Sequence, residues 1–475
     1  MGPGRPQTAR RTLFLNYDPR RSAPRKPSAH VKPKREHSPL SDKPGFQPRA
    51  AAVKILSAVI DQKTSLDGML DDDHGNPAYR ALSPADRALV KAIMNSCLRH
   101  LTWIDAIFDG FLDKPLPDGA RNLRHILSVA AAQILFLDVP DHSAVDIAVE
   151  QARLDPRSSR FANLVNALLR RLGREKDDNL LFFVSRDVPV FPAWFHARLS
   201  EVYGNETADA IGKACRSPAP VDVTVKNDPA GWAVKLGGSV LPTGTVRLDA
   251  FDGSVTALPG FDEGAWWVQD AAASIPARLM GDLRGKRVAD LCAAPGGKTA
   301  QLILKGGNVT AVEQSANRMK RLKGNLARLG YEAEFQQAKL EDLKPAELFD
   351  AVLLDAPCSS TGTIRRHPDV YWTKDMADVE KLASVQARLL RSAFGLVKPG
   401  GTLVFSNCSL DPLEGEELVA AFLAEVPDAE RVPIRREDWP GLEEAIDDAG
   451  DFRTTPVMLG GMDGFFASVL RRKSH

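Results

Sequence analysis

The stretch VADLCAAPGGKTAQ, residues 288–301, decides the fold of everything that follows it. Val288, Ala289 and Leu291 suit a buried strand, and Asp290 stands near its carboxyl end. Ala293, Ala294, Pro295, Gly296 and Gly297 then form a small-residue turn that lets backbone approach a ligand closely, before a new helix begins at Lys298. In open α/β sheets, ligands bind at that place, beyond the carboxyl ends of the strands.

Outward from the turn, strand and helix signals alternate. Residues 298–305 read as helix, 309–312 as a strand ending at Glu313, 315–329 as a helix capped by Gly330, 333–336 as a strand, and 349–354 as a strand ending at Asp355. A long helix over 377–397 is expected to stop at Pro399-Gly400-Gly401, with a strand at 403–406 and a closing strand at 464–470 from an antiparallel hairpin. This alternation predicts a parallel, doubly wound, Rossmann-like α/β sheet. Glu313 ends the strand after the turn, where a carboxylate takes ribose hydroxyls in nucleotide-type folds. No G-x-x-x-x-G-K-[ST] spacing is present, so a nucleoside cofactor is favoured over a triphosphate, which suggests S-adenosylmethionine.

Two further turns carry chemistry. Asp355-Ala-Pro-Cys-Ser359 and Ser406-Asn-Cys-Ser409 each set a cysteine, Cys358 and Cys408, just beyond a strand's carboxyl end, so both should face the cofactor cleft. Carbon 5 of a pyrimidine is a poor nucleophile. Adding a thiolate to carbon 6 makes the ring enamine-like and able to attack a methyl sulfonium, which calls for one nucleophilic cysteine. The adduct must then lose its carbon-5 proton before the thiolate leaves, a step that a second cysteine, or water it positions, can assist. Asp355 suits the task of holding the base's amino edge and ring nitrogen. The pattern itself leaves open which cysteine attacks.

Upstream, from Gln47, apolar residues recur at helical spacing: Ala51, Ala52, Ile55, Leu56 and Val59, then Leu89, Val90, Ile93, Met94 and Cys97 behind a Ser83-Pro84 helix start. Helices are expected at 121–137, 143–153 and 160–172. The chain therefore divides into a basic tail (1–46), an all-α domain (47–175), a small α+β module (176–265) and the α/β domain (266–475). The tail is Pro-rich and expected to be disordered; residues 1–45 carry eleven Lys or Arg against three acids, suited to salt-sensitive contact with a phosphate backbone. Composition is that of a globular protein, with 44% hydrophobic and 26% charged residues and no apolar run long enough for a membrane helix. Five widely spaced cysteines without a C-x-x-C pair argue against a disulfide framework and a zinc site, which fits a reducing cytoplasm. Cys97 and Cys215 are read as core filler, and His100, His125 and His142 receive no catalytic role.

Two resemblances add to this reading. Asp141-His-Ser-Ala-Val145 and Arg160-Phe-Ala-Asn-Leu-Val-Asn-Ala-Leu-Leu-Arg-Arg171 resemble the NusB-type RNA-binding helical domain, which implies RNA contact through Arg160, Arg170, Arg171 and Arg174. Asp290-Leu-Cys-Ala-Ala-Pro-Gly-Gly-Lys-Thr299, Asp355-Ala-Pro-Cys-Ser359, Ile364-Arg-Arg-His-Pro-Asp-Val-Tyr-Trp372, Asn407-Cys-Ser409 with Pro412, and Asp463-Gly-Phe-Phe466 resemble the RsmB/Fmu/Sun-type RNA cytosine-5 methyltransferases. That likeness implies Cys408 as nucleophile, Cys358 in product release, and Lys298 and Asp355 in the catalytic pocket. It also implies S-adenosylmethionine bound by Cys292, Ala293, Ala294, Pro295, Gly296, Gly297, Lys298, Glu313 and Asp355. The implied substrate is a cytosine of small-subunit ribosomal RNA turned out of its helix or loop. A monomer without metal or membrane is expected.

The chain departs from the family's usual residues at Asn407 and Gly415 beside the nucleophile, at Ala338-Lys339 near the adenine, and at Ser217-Pro218-Ala219-Pro220. Asp342 could serve the adenine only if its loop shifted. Two rival readings follow: a non-catalytic RNA-binding assembly factor that keeps the fold, and a DNA cytosine-5 methyltransferase in which Cys358 attacks and Cys408 is dispensable.

Overall fold

Apolar residues spaced for helices collect into one core in the first half of the chain. The computed structural model describes residues 43–178, 188–249, 251 and 253–474. Helices Phe46–Gln62, Pro84–Arg99, Leu101–Phe111, Arg121–Phe136, Asp141–Leu154 and Ala162–Arg174 pack around Ile55, Val90, Cys97, Leu127 and Val165. Ser83 caps its helix by accepting the Asp86 amide at 3.2 Å, with Pro84 at the first helical position. Cys97 is fully buried there, as core filler should be. The expected tail lies outside the described residues up to residue 42. Its last residues are held: Phe46 is buried at a helix start, and Lys43 Nζ lies 3.0 Å from Asp146 Oδ1.

The middle segment is built in two pieces. Helices Ala193–Tyr203 and Asn205–Cys215 bury Phe191, Phe195, Ile211 and Cys215 against Ile364, Tyr371 and Leu410 of the carboxyl-terminal half. Strands β1 (Asp222–Val225), β2 (Gly238–Val240), β3 (Val246–Leu248) and β4 (Trp266–Val268) form a separate antiparallel sheet in the order β2-β3-β1-β4. Its last strand runs past residue 265, because Trp266 fills this sheet's core beside Val223 and Val246.

The large sheet holds β5 (Arg287–Leu291), β6 (Asn308–Val312), β7 (Glu334–Gln336), β8 (Phe349–Asp355), β9 (Val397–Asn407), β10 (Ala429–Arg431), β11 (Phe452–Thr454) and β12 (Phe465–Arg472). Its order is β10-β12-β9-β8-β5-β6-β7, with β11 paired to β12. The five strands from β7 to β9 are parallel, whereas β12 runs antiparallel to β9, β10 and β11. The sheet is thus mixed: the chain returns from β11 to β12 without the crossover helix that a parallel neighbour needs. The long helix Met376–Gly395 ends before Pro399-Gly400-Gly401. These three residues sit instead inside β9, where pairing jumps from Phe349↔Val397 to Ala351↔Thr402 and Gly400 takes a φ of 78°. The order reverses between β5 and β8, so the turns leaving them open onto one crevice. Among the described residues, no helix is long and apolar enough to cross a membrane.

Candidate active site

The turn after β5 is fixed from behind. Thr299 Oγ1 donates to Asp290 Oδ2 at 2.5 Å, and burial pushes the Asp290 carboxyl up to about 7. Arg318 Nη2 and Asn325 Nδ2, on helix Ala316–Arg328, donate to the carbonyls of Ala294 and Pro295 at 2.8 and 2.9 Å. Gly296 has a φ of 108°, a backbone conformation that favours glycine, and a Cβ there would also press on Leu322 Cδ1 at 2.6 Å.

This turn separates two cavities. One, of about 280 Å³, is lined by Cys292, Glu313, Arg318, Lys339, Leu340 and Pro357 among others. Glu313 directly follows β6, with Oε1 accepting the Ser315 amide at 3.0 Å. Its Oε2 lies 3.3 Å from Arg318 Nη1 yet has no hydrogen-bond partner. A buried carboxylate oxygen with spare capacity, facing a cavity at a strand end, fits the hydroxyls of a ribose. Lys339 lines this cavity and Asp342 does not. The other cavity, of about 380 Å³, is lined by residues 292–298 together with Asp290, Asp355, Gln269 and Arg366.

Lys298 and Asp355 meet at the wall of the second cavity, with Nζ 2.7 Å from Oδ2. Ser406 Oγ donates to the other carboxylate oxygen at 3.0 Å. Beyond them the two cysteines come together, their Sγ atoms 3.4 Å apart. Cys408 Sγ lies 3.7 Å from Ser360 Oγ, and Cys358 Sγ lies 4.0 Å from the same oxygen. The two thiols are inequivalent. A hydrogen bond from Cys358 lowers the Cys408 thiol below its ordinary value, and that shared proton together with burial raises Cys358. The direction of these shifts favours Cys408 over Cys358 as the thiolate of the pair. Both are free cysteines.

The two departures beside Cys408, Asn407 and Gly415, have structural explanations. Asn407 Nδ2 donates to Glu414 O at 2.6 Å and to Gln386 Oε1 at 3.1 Å, while its Oδ1 accepts the Ser409 amide at 3.0 Å, so it braces the backbone on both sides of Cys408. A Cβ at Gly415 would stand 2.4 Å from Arg453 Nη2. Arg453 occupies that space, pairing with Glu416 and donating to the Ser409 carbonyl. Glu414 is fully buried and ties the two cysteine turns together: it accepts the Ser359 amide at 2.9 Å and the hydroxyls of Ser359 and Ser409 at 2.5 Å each.

The structure therefore places residues 292–298 and Asp355 on one cavity, Cys292 and Glu313 on the neighbouring one, and the Cys358–Cys408 pair in the turns beyond Asp355 and Ser406, whereas Asp342 lines neither cavity and Arg160, Arg170, Arg171 and Arg174 lie in the helical half. It adds Ser360, Ser406, Arg318, Glu414 and the pair Arg366–Asp463, which the sequence reading did not assign. Asp463 is buried; burial and nearby Asp270 push its carboxyl up to about 8 despite the Arg366 guanidinium. Arg366 and Asp463 stand inside two of the stretches that carried the family resemblance, and those stretches were the available signal.

The helical half behaves as the resemblance implies in fold. Its arginines are engaged locally: Arg170 Nε donates to Asn166 Oδ1 at 3.0 Å, Arg171 pairs with Glu175 at 3.0 Å, and Arg160 lies over the Phe161 ring.

Comparison with known proteins agrees. Residues 47–174 match the NusB family, and residues 280–471 match the family described as 16S rRNA methyltransferase RsmB/F. The chain is 34% identical over 445 residues to ribosomal RNA small subunit methyltransferase B of Vibrio vulnificus, covering 90% of this chain and 99% of that one. A protein of the same name from Klebsiella pneumoniae is 32% identical over 449 residues, with 90% and 98% covered. Among solved structures, that of PH0851 superposes with a TM-score of 0.67 at 22% identity, covering 91% of this chain and 100% of the other, and shares the fold. With both halves matched in order and nearly the whole length of its relatives spanned, the chain belongs to the RsmB/F family of 16S rRNA methyltransferases.

Proposed function

We propose that the protein methylates carbon 5 of a cytosine in small-subunit ribosomal RNA, with S-adenosylmethionine as methyl donor and Cys408 as the covalent nucleophile. The observation that carries this reading is the paired cysteines with a sulfur separation of 3.4 Å, one biased toward thiolate, beside the Lys298–Asp355 pair. Bound in the crevice, with Glu313 at its ribose and residues 292–298 beside it, the cofactor supplies a methyl group on a positively charged sulfur. The chain's own residues prepare the base. The Cys408 thiolate adds to carbon 6, and Asp355, steadied by Lys298 and Ser406, holds the amino edge and ring nitrogen where charge develops. After transfer, Cys358 takes part in removing the carbon-5 proton, and the carbon 6–sulfur bond breaks. The base must be unstacked to reach this depth.

The test compares wild type, Cys358→Ala and Cys408→Ala incubated with small-subunit ribosomal RNA and cofactor. A protein–RNA adduct surviving denaturing electrophoresis is expected in Cys358→Ala and not in Cys408→Ala. The reverse pattern would exchange the nucleophile, and no adduct with no methyl transfer by wild type would leave a binding protein that has kept the fold.

A further inference from the structure

The paired thiols have a second reactivity open to them. Of the five cysteines, Cys97 and Cys215 are buried in separate cores, whereas Cys292, Cys358 and Cys408 are half-buried. Cys358 and Cys408 stand sulfur to sulfur, 3.4 Å apart and unbonded. A disulfide needs about 2.05 Å between its sulfurs, so a shift of about 1.4 Å, shared by two side chains, separates the pair from a bond. The backbone on either side is already tied: the Ala356 amide donates to the Ser406 carbonyl at 2.8 Å, and the Gly362 amide to the Cys408 carbonyl at 2.9 Å. Glu414 holds the Ser359 amide and the Ser409 hydroxyl between them. Closing the bond therefore asks for side-chain movement and leaves the strands in place.

Reversible oxidation needs a reachable thiolate with a second thiol beside it. Cys408 is biased toward thiolate first by the hydrogen bond from Cys358, with burial and Asp355 opposing and Ser360 and Lys298 assisting. Arg366 and Asp463 also face this sulfur, and Glu414 faces Cys358. Cys358, raised by the shared proton and by burial, keeps its proton. Cys292 offers a contrast at the same partial exposure. Burial, with Asp355 and Glu313 adding to it, pushes that thiol up to about 12, so it presents almost no thiolate near neutral pH.

We infer that the Cys358–Cys408 pair is a site of reversible oxidation by hydroperoxides, closing to a disulfide. The Cys408 thiolate attacks one peroxide oxygen, the O–O bond breaks, and the released hydroxide takes a proton from solvent to leave as water. Cys408 is then a sulfenic acid. The Cys358 sulfur attacks the Cys408 sulfur, the S–O bond breaks, and the departing hydroxyl takes the Cys358 proton as a second water. Two electrons have passed from two sulfurs to one peroxide, and a dithiol returns them by exchange. The bond stands on the geometry of the pair alone; its effect on methyl transfer rests on the reading of Cys408 as nucleophile.

The test exposes full-length wild type and Cys358→Ser, without RNA, to graded hydrogen peroxide, removes the peroxide with catalase, alkylates the remaining thiols and maps the peptides by mass spectrometry. Serine keeps a hydrogen-bond donor beside Cys408 but cannot close the bond, and retained S-adenosylmethionine binding shows that the variant is folded. In wild type, peptides joined through Cys358 and Cys408 should appear at doses that leave Cys292 alkylated, and dithiothreitol should return both thiols. In Cys358→Ser no thiol captures the sulfenic acid, so Cys408 should pass to the sulfinic acid, which dithiothreitol does not reverse, about tenfold more than in wild type at equal dose. No joined peptide in wild type, or equal sulfinic acid in the two proteins, would overturn the proposal. Wild type that closes the bond but transfers no methyl group even when reduced upholds the site and removes the enzymatic reading alone.

Discussion

The bias of Cys408 over its neighbour Cys358 toward thiolate is set by the contacts of single residues. Cys408 is held below the ordinary thiol value first by the hydrogen bond from Cys358, with Ser360 and Lys298 acting in the same direction and burial and Asp355 against it. Removing Cys358 takes away the largest of the stabilising contacts. In Cys358→Ala the pH midpoint for alkylation of Cys408 by iodoacetamide, followed by peptide mass spectrometry between about pH 6 and 10, should therefore move upward from wild type. An unchanged midpoint would mean that Cys358 does not donate to Cys408. Both cysteines, Asp355 and Glu313 were legible in the sequence because each stands at or just beyond a strand's carboxyl end, a position that apolar runs and small-residue turns mark locally, whereas Lys298, in the first turn of helix Gly297–Leu304, came from the family resemblance. The Cys358–Cys408 contact itself joins residues fifty apart in the chain and depends on β8 and β9 being neighbours.

At the scale of elements, the turns after β8 and β9 are locked together by Glu414. Its carboxyl, raised by burial, is held by Ser359, Ser409 and Gln386, and its carbonyl by Asn407. Glu414→Gln keeps the volume but cannot accept all of these donors. It is expected to cost about 1–3 kcal/mol in urea unfolding and to lower adduct yield in a Cys358→Ala background, with S-adenosylmethionine affinity retained; full adduct yield would show that the lock does not position Cys408. The lock itself was not visible in the sequence, because Glu414 is separated by 55 residues from Ser359 and by 28 from Gln386. Pro399-Gly400-Gly401 misled for a related reason. Proline and glycine mark the end of regularity, and here they mark an excursion inside β9 that its pairing with β8 accommodates. The helices read at 121–137, 143–153, 160–172, 298–305, 315–329 and 377–397 stand within two residues of their observed ends, since caps such as Ser83 and Ser315 act through adjacent backbone, whereas Leu101–Phe111, Pro229–Leu236 and Glu416–Glu425 were not read.

At the scale of the whole molecule, the helical half rests on residues 364–375 of the catalytic half. Tyr371 is buried and stacks within 6.0 Å of Phe195; its hydroxyl and the Trp372 Nε1 both donate to the Leu98 carbonyl, at 3.3 and 3.0 Å. Asp369 Oδ2 accepts the Leu66 amide at 2.9 Å, and Lys63 pairs with Asp375. Tyr371→Ala should destabilise by about 3–5 kcal/mol and let limited proteolysis release the helical half from the catalytic half; an unchanged urea midpoint and cleavage pattern would show that this contact does not join them.

The strand order has a consequence in time. The helical half is made mostly from helices next or next but one in the chain, whereas β5, already beside β6, must wait for β8 on its other side, and β9, already beside β8, must wait for β12. Contacts that close long loops form slowly, and local ones form fast. Refolding from urea should therefore show early recovery of helical circular dichroism, followed by a slower phase in which cofactor binding returns. During that delay, the apolar edges of β9 and β12 stand uncovered, which makes the half-formed sheet the stage at which this chain is most prone to aggregate.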